Sequence, residues 1–209
     1  MKRRTAIIGA LVLIFGGILT WFVLDFTLTS MRGPNASKAN ASVSIGGAFE
    51  LTNQDGKRVT DKDFAGKYML VYFGYTFCPD VCPTELQAMS EALDLLGKDA
   101  DQLTPIFISI DPARDGVKEM KAYVKAFNPR LVGLTGSAQD IARVAKAYRV
   151  YYSKVVEKGK EDDKDYAMDH SAIVYFMDRK GKYAAHFTYG AKPEVMAKKI
   201  RDILKKDGA

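Results

Sequence analysis

The feature that most restricts the fold is a nearly unbroken apolar and aromatic run, YMLVYFGY, at residues 68–75. Successive side chains of a strand point to opposite faces, so a run without polar alternation predicts a strand that is buried on both faces. A second run of this kind, TPIFISI, occupies residues 104–110. Strands that are buried on both sides need helices packed against them, which predicts an α/β sandwich.

The remaining periodic segments fit around these two strands. Amphipathic patterns predict helices, and short apolar runs flanked by turn residues predict the other strands. We expect a hairpin at 49–60 that turns at Asp55-Gly56, a short strand at 131–135, an antiparallel pair at 171–178 and 183–189, and helices at 83–96, 117–127, 137–148 and 193–206.

This order of elements predicts a mixed central sheet. It contains the strand–helix–strand and hairpin–helix units of a thioredoxin-like fold, with an added N-terminal β-hairpin and an inserted middle segment. The segment KGKEDDKDYAMD at residues 158–169 is too polar to pack, and it is predicted to be a mobile connection between strands.

Composition restricts the function classes. The chain has 209 residues, which is enough for one well-filled core. Its formal charge of +6 lies mostly at the N-terminus, because the residues before 43 carry a net +4. The sequence has no basic stripe interleaved with aromatic residues, so no nucleic-acid partner is expected.

An uncharged apolar stretch of 19 residues, 6–24, follows the basic residues Lys2, Arg3 and Arg4. Its length suits a helix that crosses a bilayer core about 30 Å thick. The alternative is a cleaved signal peptide, whose apolar core usually has only about 7–15 residues. We therefore expect a single N-terminal helix that is not cleaved and anchors the chain in a membrane.

Basic flanking residues stay in the cytoplasm, and this sets the expected topology. The expectation is a bacterial inner-membrane protein with its C-terminal domain in the periplasm. A mitochondrial inner membrane is less expected, since no Ser/Arg-rich transit segment precedes the anchor. The predicted parts are a cytoplasmic N-terminus (1–5), a transmembrane anchor (6–24), a flexible linker (25–44) and a thioredoxin-like domain (45–209).

The chain has two cysteines, Cys78 and Cys82, and each precedes a proline. Because proline disfavours helical angles in the residue before it, Cys78 is expected outside the next helix and Cys82 near its N-cap, with Pro83 as the first helical residue. A helix N-terminus favours thiolates. A disulfide between the two would close too small a loop to stabilise the fold much, so a functional role is favoured over a structural one.

A metal site needs a further ligand, and there are two histidines. His186 lies within a predicted strand and is interpreted as structural. His170 precedes a buried strand, and in a thioredoxin-like arrangement this segment would lie beside the cysteine loop. Two thiolates and an imidazole suit copper, while zinc accepts the same ligands. Met168 could add a soft ligand, but a loop or packing role is favoured for it, while Asp169 could equally orient the imidazole or be solvated.

Three motifs in order, GYTFCPDVCPTEL (74–86), SIDPARD (109–115) and DHSA (169–172), resemble the Sco/SenC family of copper chaperones. The resemblance covers nearly the whole domain 45–209. It implies a thioredoxin-like fold that binds copper, Cu(I) or Cu(II), through Cys78, Cys82 and His170. It also implies a role in building the dinuclear copper centre of cytochrome c oxidase subunit II, with other periplasmic copper chaperones as further partners.

The resemblance leaves the roles of other residues and of the thiols open. Asp111 and Asp115 match its DPxRD motif, and we expect them to cap the helix that starts at Val117 and to hold a loop near the site. One alternative function is a thiol–disulfide oxidoreductase with Cys78 and Cys82 as its catalytic redox pair and no metal. Another is a peroxidase in which Cys78 attacks peroxide.

Overall fold

The computed structural model describes residues 17–26, 44–156 and 166–208. The chain divides into two compact units, Met1–Ser42 and Val43–Ala209. In the first unit, residues 17–26 form a helix, α1. No helix within the described residues combines the length and the apolar character that a membrane span needs. The predicted anchor and linker fall largely outside these residues, because 1–16 and 27–43 are not described.

The second unit has nine strands and four α-helices within its described residues, together with 3₁₀ turns at Asp61–Phe64 and Gly97–Gln102. The elements in chain order are β1 (Glu50–Asn53), β2 (Arg58–Thr60), β3 (Tyr68–Gly74), α2 (Val81–Leu96), β4 (Leu103–Ser109), α3 (Val117–Val124), β5 (Val132–Thr135), α4 (Ala138–Tyr148), β6 (Tyr152–Val155), β7 (Ala167–His170), β8 (Ile173–Met177), β9 (Tyr183–Thr188) and α5 (Pro193–Lys206).

Seven of these strands form one mixed sheet in the order β2-β1-β5-β4-β3-β8-β9. Strands β3, β4 and β5 run parallel, and β8, β9 and the β1–β2 hairpin join them in antiparallel pairs. The four strands β4-β3-β8-β9, with helices α2 and α5 packed against each other, have the thioredoxin-like order. The predicted α/β fold with an added hairpin and a middle insertion is confirmed.

Strand β3 lies at the centre of the core, and all seven of its residues are buried. Its neighbour β4 is buried at every position except Thr104, which is half-buried. The two strands are parallel and in register from Tyr68↔Leu103 to Gly74↔Ser109, so they end together at one edge of the sheet. The loops that follow them, which carry the cysteines and the DPARD sequence, therefore begin side by side.

Helix α2 begins earlier than predicted. Its N-cap is Asp80, and the amide of Thr84 donates to the carbonyl of Asp80 at 3.1 Å to close the first turn. Pro83 is therefore the third helical residue rather than the first. The first-turn amides of a helix have no intrahelical acceptor, so a proline there costs no backbone hydrogen bond.

Strands β6 and β7 form a hairpin that is separate from the main sheet and that the sequence pattern does not predict. Their register pairs Tyr152 with His170 and Lys154 with Met168. The predicted mobile connection at 158–169 is wrong for its last three residues, which lie in β7; residues 157–165 are outside the described part of the chain. Each strand has only four residues with many polar side chains, too short a pattern to recognise.

Candidate metal centre

The loop that carries the cysteines is fixed to the end of β4 by a buried carboxylate. Asp115 accepts hydrogen bonds from the amide and the hydroxyl of Thr76, at 3.0 and 2.6 Å, and from the hydroxyl of Ser109 at 2.6 Å. Burial raises the pKa of Asp115, and its hydrogen bonds from Ser109 and Thr76 oppose that shift. The expected loop-holding role of Asp115 is confirmed.

The expected capping role of the same motif is wrong. The N-cap of α3 is Gly116, and this helix end has no side-chain cap hydrogen bond. Asp111 instead forms an ion pair with Arg114, with Nε and Oδ2 2.5 Å apart. Both carboxylates of the motif are therefore used to shape the loop between β4 and α3.

The two cysteines are free thiols in unequal surroundings. Cys82 is buried in the first turn of α2, while Cys78 is half-buried in the loop before it. The amide of Cys82 donates to the Cys78 sulfur at 3.3 Å. A hydrogen bond from the Cys82 side chain, helped by one from His170 and by backbone amides, lowers the pKa of Cys78 to about 3. Its role as donor to Cys78, together with burial, raises the pKa of Cys82. The two thiols are therefore shifted in opposite directions, and Cys78 is the one that loses its proton more readily.

Gly74, the last residue of β3, leaves the space that Cys82 occupies. A Cβ atom at this position would lie 2.7 Å from the Cys82 sulfur and 2.9 Å from Cε2 of Phe107. Distances this short displace one of the partners, and both are buried side chains. The absence of a side chain at residue 74 lets the sulfur lie directly against the end of the central strand.

His170, the last residue of β7, completes the group. Its Nδ1 lies 3.3 Å from the carbonyl oxygen of Ser171, and its Nε2 lies 3.5 Å from the Cys82 sulfur. A carbonyl oxygen only accepts, so the contact with Ser171 is a hydrogen bond in the tautomer that has its proton on Nδ1. This is the tautomer that binds a metal through Nε2.

Two buried tyrosines form the wall around the imidazole. The rings of Tyr72 and Tyr75 meet it edge-on, with centroids 6.2 and 6.1 Å away.

The two sulfurs and the imidazole nitrogen all lie within 4.8 Å of one another. Ligands about 2.0–2.3 Å from one ion lie closer together than that, so the group fits a single ion after a small contraction.

The family model of SCO1/SenC matches residues 37–205. The chain belongs to the SCO1/SenC family. A SCO2-like protein of Rickettsia felis is 37% identical over 98% of this chain and 99% of its own length. The SCO1 homolog 1 of Arabidopsis thaliana mitochondria is 48% identical over 70% of this chain, which spans only 42% of that protein. A solved structure of Bradyrhizobium japonicum ScoI "with copper bound" is 50% identical, with a TM-score of 0.69 over 76% of this chain and 98% of that one.

The other candidate residues of this SCO1/SenC chain, Asp169, Met168 and His186, lie at three different places. Asp169 is exposed and alternates with His170, so it lies on the opposite face of β7 and the imidazole bonds to Ser171 instead. Met168 shares the face of His170 and lines a cavity of about 500 Å³. His186 is exposed on β9 and pairs with the hydroxyl of Tyr183, apart from the cysteine group.

Sequence reasoning missed three residues that shape the site, namely Gly74, Arg114 and Tyr166. A glycine that ends a fully buried strand beside a cysteine loop was the available signal for Gly74. Arg114 and Tyr166 lie 52 positions apart and become neighbours only through the hairpin. No local pattern could have paired them.

Proposed function

We propose that the protein is a membrane-anchored copper metallochaperone that binds one copper ion through Cys78, Cys82 and His170. The observation that carries the proposal is the convergence of these three donors within 4.8 Å of one another. Soft thiolates favour Cu(I), and imidazole also accommodates Cu(II). The copper-bound Bradyrhizobium relative supports copper over zinc as the ion.

The two cysteines and the surroundings of His170 contribute to copper binding in different ways. The pKa of Cys78 is lowered by its neighbours, so this thiol gives up its proton readily when it binds the ion. Cys82 releases its proton when the ion arrives, because the charge of the ion replaces that proton. The edge-on rings of Tyr72 and Tyr75 cover the imidazole and limit the access of water.

The biological task we propose is to assist assembly of the dinuclear copper centre of cytochrome c oxidase subunit II. In this proposal residues 1–5 are cytoplasmic, residues 6–24 anchor the chain in a bacterial inner membrane, and a linker to residue 44 places the domain 45–209 in the periplasm. Family membership and the similarity to a bacterial SCO2-like protein support this assignment.

A second activity, reduction of a disulfide in the target, is favoured by the free cysteine pair with one low-pKa thiol. The Cys78 thiolate would attack the target disulfide and release one target thiolate. Cys82 would then resolve the mixed disulfide and release the second, which leaves two target thiols and a Cys78–Cys82 disulfide. Since that disulfide cannot hold the ion, copper binding and oxidation exclude each other.

The test is X-ray absorption on the copper-loaded full chain in detergent. We expect two sulfur ligands and one nitrogen ligand per copper ion, with loss of one sulfur in Cys78→Ala or Cys82→Ala and of the nitrogen in His170→Ala. His186→Ala is the matched control, because it removes the other histidine of the chain, which is exposed on β9. An unchanged copper spectrum in His170→Ala would refute the ligand set.

A further inference from the structure

The β6–β7 hairpin rests on the domain with a gap beneath its middle. The cavity of about 500 Å³ is lined by Tyr152, Lys154 and Met168 of the hairpin and by Ile110 and Asp111 of the loop opposite. Tyr152 and Met168 also touch the core, so close packing under this face, which carries His170 as well, is only partial. Contacts at the ends of the hairpin therefore add to the packing of Tyr72 and Tyr75 in setting where the imidazole lies.

One such contact is a closed set of bonds at the start of β7. Tyr166 directly precedes this strand, and its carbonyl accepts a hydrogen bond from Nη1 of Arg114 at 2.9 Å. The Tyr166 hydroxyl donates to Oδ1 of Asp111 at 2.7 Å, while Nε of Arg114 lies 2.5 Å from the other oxygen of Asp111. The guanidinium also lies 3.6 Å from the centre of the Tyr166 ring. Arg114 thus contacts both the backbone and the ring of this residue.

The same guanidinium contacts the cysteine loop. It lies 4.7 Å from the centre of the Phe77 ring and 5.7 Å from that of Tyr75. Phe77 directly precedes Cys78, and the Tyr75 ring packs edge-on against His170. Arg114 therefore lies between the segment that provides the first sulfur and the strand that provides the nitrogen.

The surroundings of Arg114 make these contacts strong. Its side chain is 12% exposed and that of Asp111 is 5% exposed. Charge-assisted hydrogen bonds and cation–π contacts in such surroundings are stronger than their surface counterparts. By contrast, the ion pair of Arg143 with Asp140 involves an arginine side chain that is 72% exposed.

We infer that Arg114 is a positioning residue that holds the His170 hairpin against the cysteine loop and so determines whether copper receives its third ligand. This inference rests on the proposed function. Loss of Arg114 should disturb the sulfur side less, because Cys82 lies in α2 and Asp115 still holds the cysteine loop at Thr76. It releases the nitrogen side, and copper then has two sulfur ligands and a weakened nitrogen contribution.

The experiment compares Arg114→Ala, Arg114→Lys and Arg143→Ala in the full chain in detergent, loaded with one equivalent of Cu(I). A competing chelator gives the affinity, and X-ray absorption gives the nitrogen contribution. We expect Arg114→Ala to lose about 10–100-fold in Cu(I) affinity, the range seen when partners of metal ligands are removed, and to lose nitrogen scattering. Arg114→Lys keeps the charge without the planar fork and falls between wild type and alanine. Arg143→Ala, with the same change in charge, matches wild type.

A second readout separates this inference from the proposed function. In the metal-free protein, ¹⁵N NMR of His170 reports which ring nitrogen carries the proton, and Nδ1 lies 3.3 Å from the Ser171 carbonyl oxygen. We expect the Arg114→Ala spectrum to show mixed tautomers. If copper bound to the wild-type protein has no nitrogen ligand, the proposed ligand set is wrong. The NMR comparison of the metal-free proteins then decides the role of Arg114 by itself.

If Arg114→Ala does not fold, Tyr166→Phe tests the same contacts. It keeps the ring and removes only the hydrogen bond to Asp111. Its expected effects have the same direction as those of Arg114→Ala and are smaller. Wild-type affinity and wild-type nitrogen scattering in folded Arg114→Ala, or an unchanged His170 tautomer in both variants, would overturn the inference.

Discussion

The two halves of the metal centre are built differently. The sulfur half lies between the end of the fully buried strand β3 and the first turn of α2, and Asp115 fixes its loop through Thr76. The nitrogen half lies at the end of a four-residue strand in a separate two-stranded sheet. One half is part of the core, and the other is attached to it by a small number of side-chain contacts.

This difference separates stability from ligand binding. Elements with extensive burial open only with global unfolding, whereas weakly packed elements open locally at a lower free energy. Substitutions in the sulfur half should therefore lower the free energy of unfolding of the whole domain. Substitutions in the hairpin should change metal binding more than they change global stability.

The largest effect is expected for Asp115→Ala. It leaves the amide and hydroxyl of Thr76 and the buried hydroxyl of Ser109 without their acceptor. Each unsatisfied buried group costs about 1–3 kcal/mol, so the free energy of unfolding should fall by about 3–5 kcal/mol. Urea denaturation of the metal-free protein measures this change.

The control for this variant is Asp101→Ala, which removes a carboxylate from an exposed ion pair with Arg130. Such pairs contribute up to about 1 kcal/mol. Equal losses of stability in the two variants would mean that Asp115 does not support the sulfur half in the way that its three hydrogen bonds indicate.

Gly74→Ala tests the contact between the central strand and the Cys82 sulfur. The added methyl group would lie 2.7 Å from that sulfur, and overpacking of a buried site costs about 1–3 kcal/mol. We expect this loss in urea denaturation, together with weaker Cu(I) binding because Cys82 is displaced. Gly47→Ala is the control, since its Cβ would lie 3.4 Å from the Cβ of Ala147, an ordinary contact distance. A variant with native stability and affinity would show that β3 does not constrain the sulfur.

The same division explains how much could be predicted from the sequence. Strands β3 and β4 were predictable because burial on both faces gives a continuous apolar run. The N-cap of α4 was predictable too, because Ser137 accepts from the amide of Asp140 within one turn. These elements depend on local pattern and on apolar burial, which the sequence displays directly.

The nitrogen half was only partly predictable. His170 could be nominated, because it precedes a buried strand and there are only two histidines in the chain. The hairpin that carries it could not, because its strands are short and their pairing partners are not adjacent in sequence. Likewise, the pairing of Arg114 with Tyr166 depends on the three-dimensional course of the chain. Contacts between distant positions are decided by the whole fold.

Ser171→Ala tests the attachment of the hairpin. The Ser171 hydroxyl oxygen accepts from the amide of Tyr151 at 3.1 Å at the base of β6 and β7. This bond is exposed, so its loss should cost only about 0.5–1 kcal/mol. If the hairpin loses that free energy in its copper-bound position, the Cu(I) affinity should fall by about 2–5-fold. Chelator competition and urea denaturation measure the two quantities.

Ser153→Ala in β6 is the control, because its hydroxyl bonds only weakly to a neighbouring carbonyl at 3.5 Å. A loss of stability without any loss of affinity would contradict the proposed separation of the two halves.

The smallest effect concerns the buried carboxyl of Glu85 in the sulfur half. Its Oε1 accepts from the amide of Gly190 at 2.8 Å, and within the described residues its Oε2 has no hydrogen-bond partner. Burial raises the pKa of Glu85, so the folded chain holds this proton at pH values where the unfolded chain has released it. The contribution of Glu85 to stability is therefore greatest below the ordinary glutamate pKa of about 4.3, and it declines as pH rises through the raised native value.

Glu85→Gln should remove this decline, since glutamine keeps an oxygen for Gly190 and does not titrate. We expect the free energy of unfolding of the variant to rise relative to wild type between pH 4.5 and 8, by on the order of 1 kcal/mol or less. Urea denaturation across this range, with the exposed Glu91→Gln as control, measures the slope. A wild-type-minus-variant difference that stays constant with pH would show that Glu85 is already ionised in the core. Cu(I) affinity should stay unchanged in the variant, because glutamine keeps the hydrogen bond from Gly190 and so leaves α2, which carries Cys82, in place.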